Sequence, residues 1–340
     1  MSDTDPVALC PKLLRERFAA IFGKNRRAAL IGFPEGQNCG QYANWLGVLK
    51  LLSEMAVEVV YASSWSSLDR DLLSQRIGNG VILFSNGFFA EGPTATRIGN
   101  VIAGFRNRIV FLPEPPGQGV SSAITAALGN HADLVILARD PVARQRAETA
   151  LSANRGIELA PPTAFMFGPQ ERKTAPQYDI VWVSRTGRKD SSVESAARLS
   201  SQSAEKLDLP EFPDGIGLDA VVRQRPPTVM LTDWSSLVFR SQEARLGSDA
   251  LDPQTRAQAY VDRGMHIVSL GHVVITDRAG AHIFCLLLRI PHIFADDGTG
   301  ANRALFESWS KQAEFCRFAD RPAKAWSLAR AMLREIRGEE

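Results

Sequence analysis

The stretch from Val273 to Gly300, VVITDRAGAHIFCLLLRIPHIFADDGTG, gathers residue types that could bind an anion and move a proton. Asp277 and Arg278 directly follow a short β-branched run. In open α/β sheets ligands bind beyond the carboxyl ends of the strands, which is where Arg278 would stand. A structural arginine there would need a buried carboxylate partner, so the guanidinium reads better as an anion ligand. His282 lies four residues further on, a spacing that can put both side chains on one helix face and present a cation and a titratable imidazole to one ligand. The other reading of His282 is a histidine hydrogen-bonded in a domain cleft.

Further groups fall at comparable places. Asp296, Asp297, Gly298 and Gly300 follow the next apolar run and precede a helix that starts near Ala301 and carries Asn302. Glycines before a helix N-terminus let backbone N–H groups approach an anion, so this loop could hold a phosphate or carboxylate; a plain Asp-Gly turn is the alternative. Arg139 ends the run LVILA, beside an Asp140 suited to cap the helix opened by Pro141. With Asp140 so occupied, Arg139 is expected to project freely. Arg185 ends DIVWVS in the same way, and three arginines at three strand ends suit a small polyanion, although any one could be a surface residue. Asn86, in the Ser85–Gly87 turn after VILF, is expected at the same sheet edge. GQNCGQ at 36–41 lacks the GxGxxG spacing, and no P-loop or GxSxG elbow occurs. His131, His266 and His272 have no metal-ligand spacing, and the four cysteines form no CxxC pair, so no metal is expected.

The elements that must position these groups follow from hydrophobic rhythm. Short apolar runs at 28–33, 57–61, 81–84, 108–112 and 134–138 alternate with helical stretches, which implies a mostly parallel, doubly wound sheet. A polar linker at 168–177 separates them from a second set at 179–184, 228–232, 273–276 and 292–295. An amphipathic helix at 322–337 closes the chain, and the polar 191–227 reads as a loop-rich excursion. The expected architecture is therefore α/β with two Rossmann-like domains, residues 1–170 and 177–340, the second carrying the anion site.

Composition narrows the partners. In 340 residues, 39 Lys and Arg offset 37 Asp and Glu to a net charge of +2, so no general field draws the chain to nucleic acid. Scattered cysteines and the lack of a basic, apolar leader or a membrane-length apolar stretch point to the cytoplasm. Leu13 to Arg27 mixes Leu14, Phe18, Ile21 and Phe22 with basic residues, which leaves peripheral contact with the inner membrane open, although a helix packed on the domain is favoured.

Several of these segments, taken in order, resemble the bacterial polysaccharide pyruvyl transferases. The match is strongest over MHIVSLGHVVITDRAGAHIFCLLLRIPHIFADDGTGANRALFESW, which is similar to the family's strand-TDR-helix block, its IPH strand and the aspartate-bearing loop. NWLG at 44–47, ARDP at 138–141, SRT at 184–186 and LTDWSSL at 231–237 fall in the family's order. The resemblance implies two domains facing across a cleft, as in GT-B glycosyltransferases. It also implies phosphoenolpyruvate as co-substrate, with no separate cofactor, and a glycan or lipid-linked oligosaccharide as acceptor of a pyruvate ketal. Arg139, Arg185 and Arg278 would then supply cations, His282 the acid/base, and Asp277, Asn86, Gly298, Gly300 and Asn302 would line the substrates. Some positions depart from the family. Ala279 and Gly280 replace a Leu-His pair after the arginine, Gln41 an aspartate, the Ser85–Phe88 turn a glycine-rich loop, and Ala301 a lysine. The alternative is a catalytically impaired relative acting as a partner or regulator in exopolysaccharide assembly. A nucleotide-sugar glycosyltransferase would rest on fold analogy alone.

Overall fold

The computed structural model describes residues 5–117, 119–151, 156–184, 227–232 and 252–339. Arg185, most of LTDWSSL and the 191–226 excursion therefore lie outside the described residues. The chain divides into two compact units. The first comprises Met1–Pro169, Asp252–Val261 and Arg303–Gln312, and the second Gln170–Leu251, Asp262–Asn302 and Ala313–Glu340. Two short segments from the second half of the sequence thus group with the first unit.

In the first unit, β1 (Arg27–Ile31), β2 (Glu58–Ser63), β3 (Val81–Phe84), β4 (Ile109–Phe111), β5 (Leu134–Ala138) and β6 (Gly156–Leu159) form one sheet in the order β2-β1-β3-β4-β5-β6. Every pairing is parallel. Parallel strands need crossover helices on the faces, so the central strands are covered on both sides and read as continuous apolar runs. VILF of β3 is buried at all four positions. One face builds a core around Ile82, Phe84, Phe88 and Phe111, into which Trp65 packs edge-on against Phe84 at 5.1 Å.

The helix Pro6–Phe22 begins at Asp5, whose side chain accepts from the Val7 amide, and buries Leu14, Phe18, Ile21 and Phe22. The apolar face that a peripheral membrane contact would use is therefore spent on packing. The helix Cys39–Glu54 lies so close to the 3₁₀ turn Thr163–Phe167 that a Cβ on Gly47 would sit 2.0 Å from the Thr163 carbonyl oxygen. Asn44, one turn earlier, fastens the same contact by accepting the Ala164 amide at 3.0 Å while its carbonyl accepts the Thr163 hydroxyl at 2.8 Å.

In the second unit, β7 (Tyr178–Val183), β8 (Val229–Thr232), β9 (Gly271–Thr276), β10 (His292–Ala295) and β11 (Cys316–Ala319) form a second parallel sheet in the order β11-β10-β9-β7-β8. Ile180, Trp182, Val273, Ile275, Ile293 and Ala295 pack on one face with Trp326, Ala329 and Leu333 of the helix Pro322–Arg337. The helix Ala279–Leu287 is buried from Ala281 to Leu287 without a break. Both units are α/β with Rossmann-like parallel sheets. Among the described residues, no helix is long and apolar enough to cross a membrane.

Candidate functional site

In each sheet the strand order reverses once. The chain leaves β1 toward β2 on one side and resumes at β3 on the other; likewise it leaves β7 toward β8 and resumes at β9. At such a point the flanking connections depart in opposite directions and open a crevice at the carboxyl ends of the strands, the usual ligand position in open α/β sheets.

In the second unit that crevice lies between the ends of β7 and β9, and Ser184, Asp277 and Arg278 occupy it. Arg278 is partly exposed and immediately precedes the helix Ala279–Leu287. Its backbone N–H donates to Thr276 Oγ1 at 3.0 Å, and its Nε lies 3.3 Å from the Ser184 carbonyl oxygen. The sequence expectation for Arg278, a guanidinium at the carboxyl end of a strand, matches this placement. Asp277 is buried, with a carboxylate that accepts the Ser184 hydroxyl at 2.9 Å. It braces the end of β7 against β9. Ser184, fully buried, also stands at this strand end; the sequence shows it only as part of SRT at 184–186, and its signal is its place after the apolar run DIVWV.

The neighbouring loop is built as a turn. Asp297 Oδ1 accepts the Thr299 amide and hydroxyl at 3.1 and 2.6 Å, and Thr299 Oγ1 accepts the Ala301 amide at 3.3 Å. Gly298 and Gly300 adopt φ of 77° and 75°, the left-handed region that favours glycine, with nothing near the position of a Cβ. Asn302 was expected to contact substrate. It is buried instead, and its Nδ2 donates to the Asp277 carbonyl at 2.7 Å and the Ala295 carbonyl at 2.9 Å. Both amide protons are used to join the ends of β9 and β10.

His282 requires the largest correction. Spacing suggested a face shared with Arg278, but the ring is 1% exposed. It stacks on Phe294 at 4.0 Å and 1°, with Nδ1 2.8 Å from His292 Nε2. The physical reason is the apolar surround: a helix buried along its whole length offers no wet face, so an imidazole on it must find a partner inside. His292, fully buried, donates from Nδ1 to the Ile290 carbonyl at 2.8 Å, and burial holds it down at about 4, so it is neutral at physiological pH. Cys316 Sγ lies 3.9 Å from His282 Nδ1, and burial pushes its thiol well above the ordinary range.

The first unit repeats the crevice with different contents. Asn86, just after β3, donates from Nδ2 to the Gly32 carbonyl at 3.1 Å and accepts Trp65 Nε1 at 2.9 Å, which bridges the ends of β1 and β3. Glu114, beyond β4, accepts the backbone amides of Gly87 at 2.9 Å and Phe89 at 3.3 Å. Burial raises its carboxyl to about 7 against the pull of those amides. Asp140 caps the helix Pro141–Ala150 as expected, accepting the Ala143 amide at 2.9 Å. Arg139 does not project freely: it is 3% exposed and binds Asp140 Oδ2 through Nε at 2.8 Å. A guanidinium that deep must be paired, and the adjacent carboxylate is what the fold supplies.

Comparison with known proteins agrees with this geometry at the level of the fold. No protein-family model matches the chain. A crystal structure of a functionally uncharacterised protein from Klebsiella pneumoniae superposes on 94% of this chain and all of its own, with a TM-score of 0.55 at 14% identity. Over 309 residues, 86% of this chain and 71% of the relative, the sequence is 22% identical to Pyruvyl transferase 1 of Schizosaccharomyces pombe.

Proposed function

We propose that the chain is a pyruvyltransferase that moves the pyruvyl group of phosphoenolpyruvate onto a sugar of an exopolysaccharide or lipid-linked repeat unit as a ketal, in the cytoplasm. The observation that carries this reading is the similarity to Pyruvyl transferase 1 across most of the chain. The crevice at β7 and β9 supports it, because Arg278 stands partly exposed where an open α/β sheet takes its ligand.

The chemistry suits such a site. One sugar hydroxyl adds to C2 of the donor while C3 takes a proton and becomes a methyl group. The C2–O bond to phosphate then breaks, and a second hydroxyl of the same sugar closes the ketal, its proton leaving with the phosphate. Charge develops on the departing phosphate beside the donor carboxylate, and a planar guanidinium is the side chain best matched to both. Arg278 takes that role. Asp277 and Ser184 hold the strand ends that aim it, and the loop at Gly298 and Gly300 follows β10, the strand paired with β9. His282 is assigned no proton transfer, because it is enclosed and hydrogen-bonded to His292.

The test is phosphate release from phosphoenolpyruvate in the presence of glycans from the host's own polymer, with formation of an acid-labile pyruvate ketal. A second reading, a relative that retains the fold without turnover, is favoured by the internal use of Asn86, Arg139, Asn302 and His282. It predicts donor binding without phosphate release, together with retention of another assembly enzyme in pull-downs.

A further inference from the structure

We propose that His282, His292 and Cys316 form a buried structural zinc site in the second unit. One ligand atom from each lies within 4.8 Å of the others, and the three side chains are 1%, 0% and 6% exposed. They come from three elements that the fold brings together. His292 and Cys316 open β10 and β11 and are direct partners in the parallel register, so their side chains leave the sheet on the same face. His282 descends onto that face from the helix Ala279–Leu287.

The donor set suits zinc. Two imidazoles and a thiolate match its preference for nitrogen and sulfur, and the enclosure excludes the waters that harder cations keep. The contact of His292 Nδ1 with the Ile290 carbonyl at 2.8 Å is the outer hydrogen bond that metal-bound histidines use, and it leaves Nε2 unprotonated and directed at His282. Zn–N bonds of about 2.0 Å and Zn–S bonds of about 2.3 Å separate neighbouring ligand atoms in a tetrahedron by roughly 3.3 to 3.6 Å. The present separations of 2.8 Å between the nitrogens and 3.9 Å from Nδ1 to sulfur straddle that range, and all three atoms lie within 4.8 Å of one another, so shifts on the order of 1 Å would bring them onto one ion. A candidate fourth ligand stands on the same helix: Cys285, one turn beyond His282, is buried. Zinc here would fasten the helix that begins after Arg278 to β10 and β11, and it would enter during folding. The proposal stands independently of the transferase reading.

The experiment is metal analysis of the full chain, purified without chelator from zinc-supplemented cells, followed by exchange of zinc for cobalt. The expected result is one zinc per chain, a Tm that falls when a strong chelator strips the metal, and a cobalt-thiolate charge-transfer band. Cys316→Ser should weaken that band and His292→Gln should reduce bound zinc roughly tenfold or more. Should either variant not fold, the wild-type chain still decides. Wild-type protein that carries no zinc, and whose Tm moves with neither added zinc nor chelator, overturns the proposal.

Discussion

Replacing Asn302 separates a bracing role from a ligand-binding one. Its Nδ2 donates to two carbonyl oxygens, those of Asp277 and Ala295, at 2.7 and 2.9 Å, and the residue is 2% exposed. Asn302→Ala leaves both acceptors without this donor. At about 1 to 1.5 kcal/mol for each hydrogen bond lost in a buried setting, the variant should lose roughly 2 to 3 kcal/mol of unfolding free energy. Asn302→Asp keeps the shape but sets carboxylate oxygens against the same carbonyls. It should cost more than the alanine variant at neutral pH and recover part of the loss at low pH, when the carboxyl protonates and regains one donor. Urea unfolding of the three proteins, run alongside phosphoenolpyruvate titration of the folded fractions, gives both quantities. The reasoning is refuted if Asn302→Ala unfolds within 0.5 kcal/mol of the parent while donor affinity collapses, because Asn302 would then be a ligand contact.

Three further expectations concern the first unit. Gly47→Ala should destabilise it by several kcal/mol, since the new Cβ would meet the Thr163 carbonyl oxygen at 2.0 Å; a Tm within two degrees of the parent would show that the 3₁₀ turn yields freely. Arg139→Met should cost about 3 to 5 kcal/mol in denaturant unfolding, because Asp140, 0% exposed on its side chain, would lose the guanidinium paired with it; an unchanged midpoint counts against the pair. Glu114 gives a pH dependence. Burial raises its carboxyl from 4.5 to about 7, so the folded chain holds a proton that the unfolded chain releases. The resulting stabilisation is complete below about 4.5 and lost as pH rises through about 7, and it amounts to roughly 3 kcal/mol at 1.36 kcal/mol per unit. Glu114→Gln should flatten that segment of the stability curve, measured by unfolding at successive pH values, and an unaltered slope refutes the assignment.

The interior strands were legible because burial on both faces writes itself into sequence as continuous runs: VILF and VVIT need no alternation to be recognised. The two strands that went unread are β6 and β11, and both lie at sheet edges. GIEL of β6 is exposed or half-buried at every position, and CRFA of β11 is half-buried at its centre, so neither presents an apolar run. Among candidate site residues, Arg278 could be placed from sequence because a strand end is a local feature. His282 could not, because i, i+4 spacing states which residues are neighbours on a helix and not which face is wet; the apolar residues on every side of it, from Ala281 to Leu287, were the usable sign. The burial of Arg139 is not legible in the sequence because Asp140 carries two tasks. One of its oxygens caps the helix while the other holds the guanidinium. The cluster of His282, His292 and Cys316 is not legible in the sequence, because its members are brought together by strand register and helix packing rather than by a short motif.

The most direct test of the transferase reading is phosphoenolpyruvate turnover by the wild-type chain and by Arg278→Ala. With glycan from the host's own polymer, the wild-type protein should release phosphate and form a pyruvate ketal. Loss of a charge-assisted contact of about 1.5 to 3 kcal/mol should weaken donor binding by roughly ten- to a hundredfold in Arg278→Ala, with stability little changed. A wild-type chain that neither binds phosphoenolpyruvate nor releases phosphate from it with any glycan of that polymer, or an Arg278→Ala variant that turns over as fast as the parent, would contradict it.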